Sequence, residues 1–188
     1  MNICRDFDRL PKMVARLPYF RRGNVIGVEG FMGAGKTSLT SWLANELSVQ
    51  FLSADEFVSI HGGCMSYPSR VSTKRLSQAL ASAVRQGRPV FLEGICLRAI
   101  AHHLIHKPAA YIYIKRMAGS VWHDGFHLED FASGRSAEDD LHEPHLSDLR
   151  YHLHFSPHKK AALILERQED VVRLANSAVE MHHMRRGA

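Results

Sequence analysis

Short apolar runs alternate with longer amphipathic stretches along most of the chain. The apolar runs have the length of strands, and the stretches between them have the spacing of helices. The predicted strands are residues 24–29, 49–53, 90–92, 110–114 and 161–165, and the predicted helices include residues 37–47, 71–85 and 96–105. Strands that alternate with helices predict an α/β fold in which a five-stranded parallel sheet is covered by helices on both faces.

Three further segments complete the predicted organisation. Residues 1–23 carry apolar positions at helical spacing and predict a lead-in helix that Pro18 ends. Residues from about 116 to 150 are polar and poor in aliphatic side chains, so they predict an insertion that forms a lid. Residues 167–184 predict a final amphipathic helix. We therefore expect a single domain over residues 1–188.

A glycine-rich segment between the first strand and the first long helix carries the strongest chemical signal. Residues 30–37, Gly-Phe-Met-Gly-Ala-Gly-Lys-Thr, fill the G-x-x-x-x-G-K-[ST] pattern of a phosphate-binding P-loop. Glycines let successive N–H groups point inward, and the helix start adds partial positive charge. Lys36 is expected to reach the phosphates and Thr37 to place its hydroxyl on Mg²⁺. The predicted nucleotide-binding residues are Gly30, Gly33, Ala34, Gly35, Lys36, Thr37 and Ser38.

Three carboxylates, Glu29, Asp55 and Glu93, stand at or just beyond the ends of predicted strands. Ligands of parallel sheets bind at the carboxyl ends of the strands. Glu93 is predicted to hold Mg²⁺ with Thr37, because Mg²⁺ prefers oxygen ligands. Asp55 is predicted to orient or deprotonate an attacking hydroxyl, and the alternative is a helix N-cap. For Glu29, a metal role and a bond to nearby backbone stay equally open.

The chain resembles the P-loop small-molecule kinases related to nucleoside monophosphate kinases. Residues 30–37 with 51–56 look like the opening of shikimate kinases, in which Asp55 matches a residue that contacts substrate. Residues 90–95, Val-Phe-Leu-Glu-Gly-Ile, resemble the third strand of uridine kinases and phosphoribulokinases, in which Asp55 matches the base. The resemblance implies a P-loop NTPase fold and an ATP- and Mg²⁺-dependent transfer of the γ-phosphate to a hydroxyl of a nucleoside, sugar or sugar acid.

Cationic side chains are the remaining requirement of such a reaction, because charge on the transferred phosphoryl group must be neutralised. Arg116 and Arg135 are predicted in this role, since both lie in or beside the polar insertion and Gly134 offers a bend next to Arg135. A plain surface charge is the alternative for each. Topology predicts an acceptor pocket lined by Asp55, Phe57, Tyr67, Arg70 and Arg98.

Composition limits the partners and the location that we expect. The net charge of +5 is scattered in small clusters, which argues against nucleic-acid binding. No apolar run approaches the length needed to span a bilayer, and three cysteines without CxxC spacing favour an intracellular, cytoplasmic protein with reduced thiols. Thirteen histidines include His123 and His127 at i,i+4 spacing, for which surface positions are favoured over a metal site.

A nucleotide-dependent switch that acts through a protein partner is the competing hypothesis. A GTPase of that kind would carry an Asn-Lys-x-Asp motif, which the sequence lacks, and 188 residues is short for an AAA-type machine. Release of ADP that depends on a small-molecule acceptor would separate a kinase from a switch.

Overall fold

The strands form one sheet in the computed structural model, which describes residues 2–59, 65–136 and 141–168. In chain order they are β1 (Asn2–Cys4), β2 (Val25–Gly30), β3 (Gln50–Ser53), β4 (Val90–Glu93), β5 (Pro108–Ala118), β6 (Val121–Trp122) and β7 (Leu163–Gln168). The sheet has the order β1–β7–β5–β2–β4–β3, with neighbouring strands parallel, and β6 pairs antiparallel with β5 off this path.

Helices connect the strands and cover both faces of the sheet. They are α1 (Leu10–Ala15), α2 (Lys36–Leu47), α3 (Tyr67–Arg70), α4 (Thr73–Val84), α5 (Leu97–Ala101), α6 (His123–Ala132), α7 (His145–Phe155) and α8 (Pro157–Lys160). Short 3₁₀ turns lie at Phe7–Arg9 and Ala54–Phe57. None of the helices in the described part of the chain is both long and apolar enough to cross a membrane.

Two apolar cores lie on opposite faces of the sheet, because successive side chains of a strand point to opposite sides. Val90 and Leu92 of β4 belong to one core, together with residues of α4 and α5, whereas Phe91 belongs to the other, together with residues of α1 and α2. Every residue of β2 is buried, as expected for a strand covered on both faces. The central position of β2 places the P-loop that follows it in the middle of the carboxyl edge.

The parallel α/β architecture is confirmed, but the prediction of five strands is wrong because the described residues already form a sheet of seven. One additional strand is β1, which comes from the lead-in segment and pairs with β7 through Asn2 and Leu163. The helix of that segment is correspondingly short, Leu10–Ala15. The second additional strand is β6, which folds back on β5 after Gly119.

The polar segment from 116 to 150 contributes to the core as well as to the surface. Its first residues extend β5 to Ala118, and its last residues begin α7, in which Ser147, Asp148 and Leu149 are buried. A lid formed by this segment therefore stays a prediction. The predicted helix over 167–184 begins inside β7, and its residues 169–184 lie outside the described residues.

Candidate active site

The P-loop turns from β2 into α2 at the carboxyl edge of the sheet. Gly33 and Gly35 have φ values of 77° and 79°, a left-handed conformation that other residues adopt at a cost. Lys36 is the first residue of α2, so the free N–H groups of the helix start face the loop. The local geometry is that of an anion site at a helix N-terminus.

The side chain of Lys36 is folded back against its own loop. Its Nζ atom donates to the carbonyl oxygens of Gly30 (3.2 Å) and Phe31 (2.9 Å). Burial lowers the pKa of Lys36, and the carboxylates of Asp148, Glu93 and Asp55 oppose that shift. The buried side chain of Lys36 thus lies near three carboxylates.

Thr37 and Glu93 meet at the same edge of the sheet. The Thr37 hydroxyl donates to Glu93 Oε1 at 3.0 Å. Burial raises the pKa of Glu93, although the hydroxyls of Ser53 and Thr37 favour its charged form. Within the described residues, the buried Oε2 atom makes no hydrogen bond of standard geometry. A hydroxyl beside a carboxylate with a free oxygen suits Mg²⁺, which takes few protein oxygens and keeps several waters.

Asp55 follows β3 and lies in the 3₁₀ turn Ala54–Phe57. The N-cap of this turn is Ser53, whose Oγ accepts from the Asp55 N–H at 3.3 Å, so Asp55 itself is not the cap. The Asp55 carboxylate accepts a hydrogen bond from the Tyr67 hydroxyl. Burial is the main cause that raises the pKa of Tyr67, with Asp55 adding to it, so the phenol keeps its proton and acts as the donor.

Tyr67 is held in turn by the segment that contains α7. Its backbone N–H donates to Ser147 Oγ at 3.0 Å and to Glu143 Oε2 at 3.2 Å. Tyr67 is therefore held at its hydroxyl by Asp55 and at its backbone N–H by Ser147 and Glu143.

A cavity of about 320 Å³ joins these groups. Lys36, Thr37, Asp55, Tyr67 and Glu93 line it, together with the P-loop residues Gly33, Gly35 and Ser38. A second cavity of about 520 Å³ shares Gly35 and Ser38 with the first and is lined also by Ala34, Phe7, Trp42 and Arg167. The two cavities therefore lie next to each other on either side of the P-loop.

The other predicted site residues lie around this centre, and none of them is among the residues that line the 320 Å³ cavity. Arg116 pairs with the buried Asp124 and reaches the vicinity of Gly33. Arg135 forms an exposed ion pair with Asp130.

The remaining predicted acceptor residues are engaged elsewhere. Arg98 binds Glu29 (2.9 Å, Nε to Oε1) and lies over the ring of Tyr111. Arg70 contacts the carbonyl oxygen of Ser59, and Phe57 is buried in the apolar core. These three positions were inferred from topology, which places an element near a site but does not say which way a side chain points.

Glu29 is fully buried behind the P-loop. Its Oε2 accepts from the Tyr151 hydroxyl at 2.5 Å, and its Oε1 accepts from Arg98. Burial raises the pKa of Glu29, whereas Arg98 and Tyr151 act in the opposite direction. Glu29 thus bonds to side chains of α5 and α7, which is neither of the two alternatives drawn from the sequence.

Arg167 and Asp148, which the sequence did not single out, form hydrogen bonds to backbone groups of the P-loop. Arg167 of β7 donates to the carbonyl oxygen of Ala34 at 3.3 Å. Asp148 of α7 accepts from the Met32 N–H at 2.7 Å. A strand-end position is a signal for Arg167, but the sequence offers none for Asp148.

The histidines do not form a metal centre in the part of the chain that the structure describes. No group of three or more His, Cys, Asp or Glu side chains there is arranged to hold an ion. The rings of His123 and His127 lie 5.7 Å apart on α6. His152 of α7 is buried, and burial lowers the pKa of His158 to about 4.

Comparison with known proteins places the fold. No protein-family model and no curated protein matches the chain. The structure resembles that of a protein from Bacillus stearothermophilus described as a possible uridine kinase, with a TM-score of 0.52 and 14% identity over 85% of this chain and 96% of that one. At this level of identity the similarity shows the fold alone, a parallel α/β sheet with helices.

Two further solved structures are similar at lower TM-scores. One is a gluconokinase from Sinorhizobium meliloti 1021, with a TM-score of 0.45 and 16% identity over 87% of this chain and 98% of that one. The other is a thymidylate kinase from Candida albicans, with a TM-score of 0.44 and 13% identity over 88% of this chain and 93% of that one.

Proposed function

We propose that the protein is a kinase that moves the γ-phosphate of ATP to a hydroxyl group of a small molecule, of nucleoside, sugar or sugar-acid type. The observation that carries the proposal is a single cavity lined by a phosphate-binding loop, by a Thr37–Glu93 oxygen pair and by the Asp55 carboxylate. Phosphoryl transfer depends on positioning and on charge stabilisation, and these groups supply both.

The P-loop is proposed to bind the triphosphate through its N–H groups and Lys36. Lys36 must leave the carbonyl oxygens of Gly30 and Phe31 to reach the phosphates, so one pair of hydrogen bonds is exchanged for stronger, charge-assisted ones. The neighbouring cavity of about 520 Å³ is proposed to receive the adenosine part of ATP. Gly35 and Ser38 of the P-loop line this cavity too, and the aromatic rings of Phe7 and Trp42 offer a surface for the base.

Thr37 and Glu93 are the residues that would hold Mg²⁺, since their oxygens are adjacent and both side chains line the 320 Å³ cavity. When bound, the ion neutralises charge on the phosphate oxygens. Arg116 is better placed than Arg135 to add a second cation, because it reaches the vicinity of Gly33.

Asp55 is proposed to receive the acceptor. The acceptor oxygen forms a bond to the γ-phosphorus, the bond from phosphorus to the β-phosphate oxygen breaks, and the hydroxyl proton passes to Asp55. In the structure, the Tyr67 hydroxyl donates to this carboxylate. The acceptor hydroxyl must therefore bind to the same carboxylate beside Tyr67 or displace the Tyr67 hydroxyl.

The proposal is tested by incubating the purified protein with Mg·ATP and a set of nucleosides, sugars and sugar acids, and by measuring ADP release. We expect one class of acceptor to stimulate ADP release and to yield a phosphorylated product in mass spectrometry. If no acceptor raises ADP release and a protein partner binds only in the presence of nucleotide, the switch hypothesis replaces the kinase proposal.

A further inference from the structure

One face of α7 is polar and yet buried against the site. Ser147, Asp148, Tyr151 and His152 follow the i, i+1, i+4, i+5 spacing of one helix face, and all four are buried. Buried polar groups are destabilising unless they are hydrogen-bonded. The partners of this face are therefore informative about what the helix does.

Asp148 is bonded to the P-loop itself. Its Oδ2 accepts from the N–H of Met32 at 2.7 Å, and the side chain is fully buried. A bond from a backbone amide to a carboxylate is charge-assisted and stronger than a neutral one. Met32 lies in the middle of the loop, between Gly30 and Lys36, so this bond holds the loop at a point that β2 and α2 do not hold.

His152, one turn further along α7, contacts the preceding loop residue. Its ring stacks on Phe31 with centroids 3.6 Å apart and an angle of 11° between the planes. Its Nε2 lies 2.9 Å from the Tyr113 hydroxyl, and its Nδ1 lies 2.8 Å from the backbone oxygen of Asp148. Two consecutive P-loop residues, Phe31 and Met32, thus contact two residues that lie one turn apart on the same helix.

We propose that Asp148 is a positioning residue, which fixes the P-loop in its phosphate-binding conformation by holding the Met32 N–H, with His152 supporting the same segment through Phe31. The inference rests on the proposed nucleotide site. It assigns to α7, which begins in the segment expected to be a lid, the task of preorganising the loop. A preorganised loop loses less conformational freedom when it binds phosphate, so its affinity is higher.

Two substitutions separate position from charge. Asp148→Asn removes the negative charge but keeps an oxygen that can accept from Met32, whereas Asp148→Ala removes both. If Asp148 acted only as a charge, both variants would bind an anionic nucleotide more tightly, because a repulsion is removed. If it positions the loop, Asp148→Ala binds more weakly and Asp148→Asn does not.

The probe is Mg·ADP, and the measurement is its dissociation constant by titration calorimetry. We expect Asp148→Ala to weaken binding about tenfold, because a buried amide loses its partner. We expect Asp148→Asn to bind at least as tightly as the wild type. His154→Ala, on an exposed position of the same helix, is the control and should bind within about twofold of the wild type. Equal or tighter binding by a folded Asp148→Ala overturns the proposal, and so does a similar loss in the His154→Ala control.

Hydrogen exchange of the Met32 amide in the wild type gives a readout that needs no variant. Slow exchange without nucleotide is expected for an amide bonded to a buried carboxylate, and exchange at the rate of an open loop overturns the proposal. Hydrogen exchange also distinguishes a failure of the proposed kinase function from a failure of the proposed role of Asp148. Wild-type protein that protects Met32 but binds no Mg·ADP contradicts the proposed kinase function and not the contact of Asp148.

Discussion

The nucleotide half and the acceptor half of the site are built in different ways. The donors of the nucleotide half lie in one continuous segment, residues 30–37, as backbone N–H groups oriented by two left-handed glycines and a helix start, and Glu93 of β4 joins this half through Thr37. The acceptor half joins Asp55, Tyr67 and Ser147, which come from three separate segments and are linked by hydrogen bonds. The phosphate-binding donors therefore come from one local segment, which α7 holds in place, whereas the acceptor-binding side chains are brought together only by the tertiary structure.

This difference has a consequence for substitutions. In the nucleotide half, a side chain acts on the phosphates or the metal directly, so its loss should change one step. In the acceptor half, a change at one residue is transmitted along the contacts from Ser147 through Tyr67 to Asp55. The two halves should thus be separable by measuring nucleotide binding and acceptor turnover independently.

Asp55→Asn should have the largest effect, and it should act on the acceptor half only. Asparagine cannot receive a proton, so we expect kcat to fall by roughly 10²–10⁴. The affinity for Mg·ADP should stay the same, because the P-loop amides and Lys36 are untouched. The measurement compares steady-state turnover of the identified acceptor with calorimetric binding of Mg·ADP.

Glu56→Gln is the matched control for this prediction. Glu56 is exposed on the same 3₁₀ turn and loses the same charge, so its turnover should stay within about twofold of the wild type. Full activity of Asp55→Asn would remove Asp55 from the proposed chemistry and leave only the nucleotide half of the site supported.

Glu93→Gln should have an intermediate effect, and it should act on the metal in the nucleotide half. Glutamine can still accept from the Thr37 hydroxyl but carries no charge for the ion. We expect the Mg²⁺ concentration for half-maximal activity to rise roughly tenfold, in the range seen when a group that supports a metal is lost. Binding of ADP in the presence of EDTA should not change. A weaker ADP affinity without metal would instead mean that Glu93 shapes the loop.

The conformation of the P-loop segment could be predicted from the sequence because its determinants are local, whereas its nucleotide binding stays a prediction. The P-loop pattern, the apolar strand before it and the helix after it follow one another directly in the sequence, so each can be recognised from neighbouring residues. Glu93 and Asp55 were found in the same way, since each comes directly after an apolar run, and α4 was expected at 71–85 and lies at Thr73–Val84. These features need no knowledge of distant contacts.

The parts that the sequence did not predict depend on partners far along the chain. Asp148 and His152 are polar, so the sequence of α7 suggests a helix on the surface. Both are buried because Asp148 bonds to Met32 and because His152 stacks on Phe31 and bonds to Tyr113. β1 was missed because a strand of three residues is too short to show a period, and its pairing with β7 spans almost the whole chain. Arg98 was placed near the acceptor by topology, yet Glu29 and Tyr111 hold it.

Ser147→Ala should have the smallest effect, and it tests whether the acceptor half is coupled through its tertiary contacts. The substitution removes one acceptor of the Tyr67 N–H, while Glu143 still offers the other at 3.2 Å. We expect the KM of the acceptor to rise about threefold, since the loss of one such hydrogen bond is partly compensated. Mg·ADP affinity should not change, because the neighbouring Asp148 keeps its bond to Met32. Ser133→Ala, an exposed serine at the end of α6, is the control for a generic loss of a hydroxyl. A weaker Mg·ADP affinity with an unchanged acceptor KM would show that α7 serves the nucleotide half alone, and that Tyr67 is held in place without Ser147.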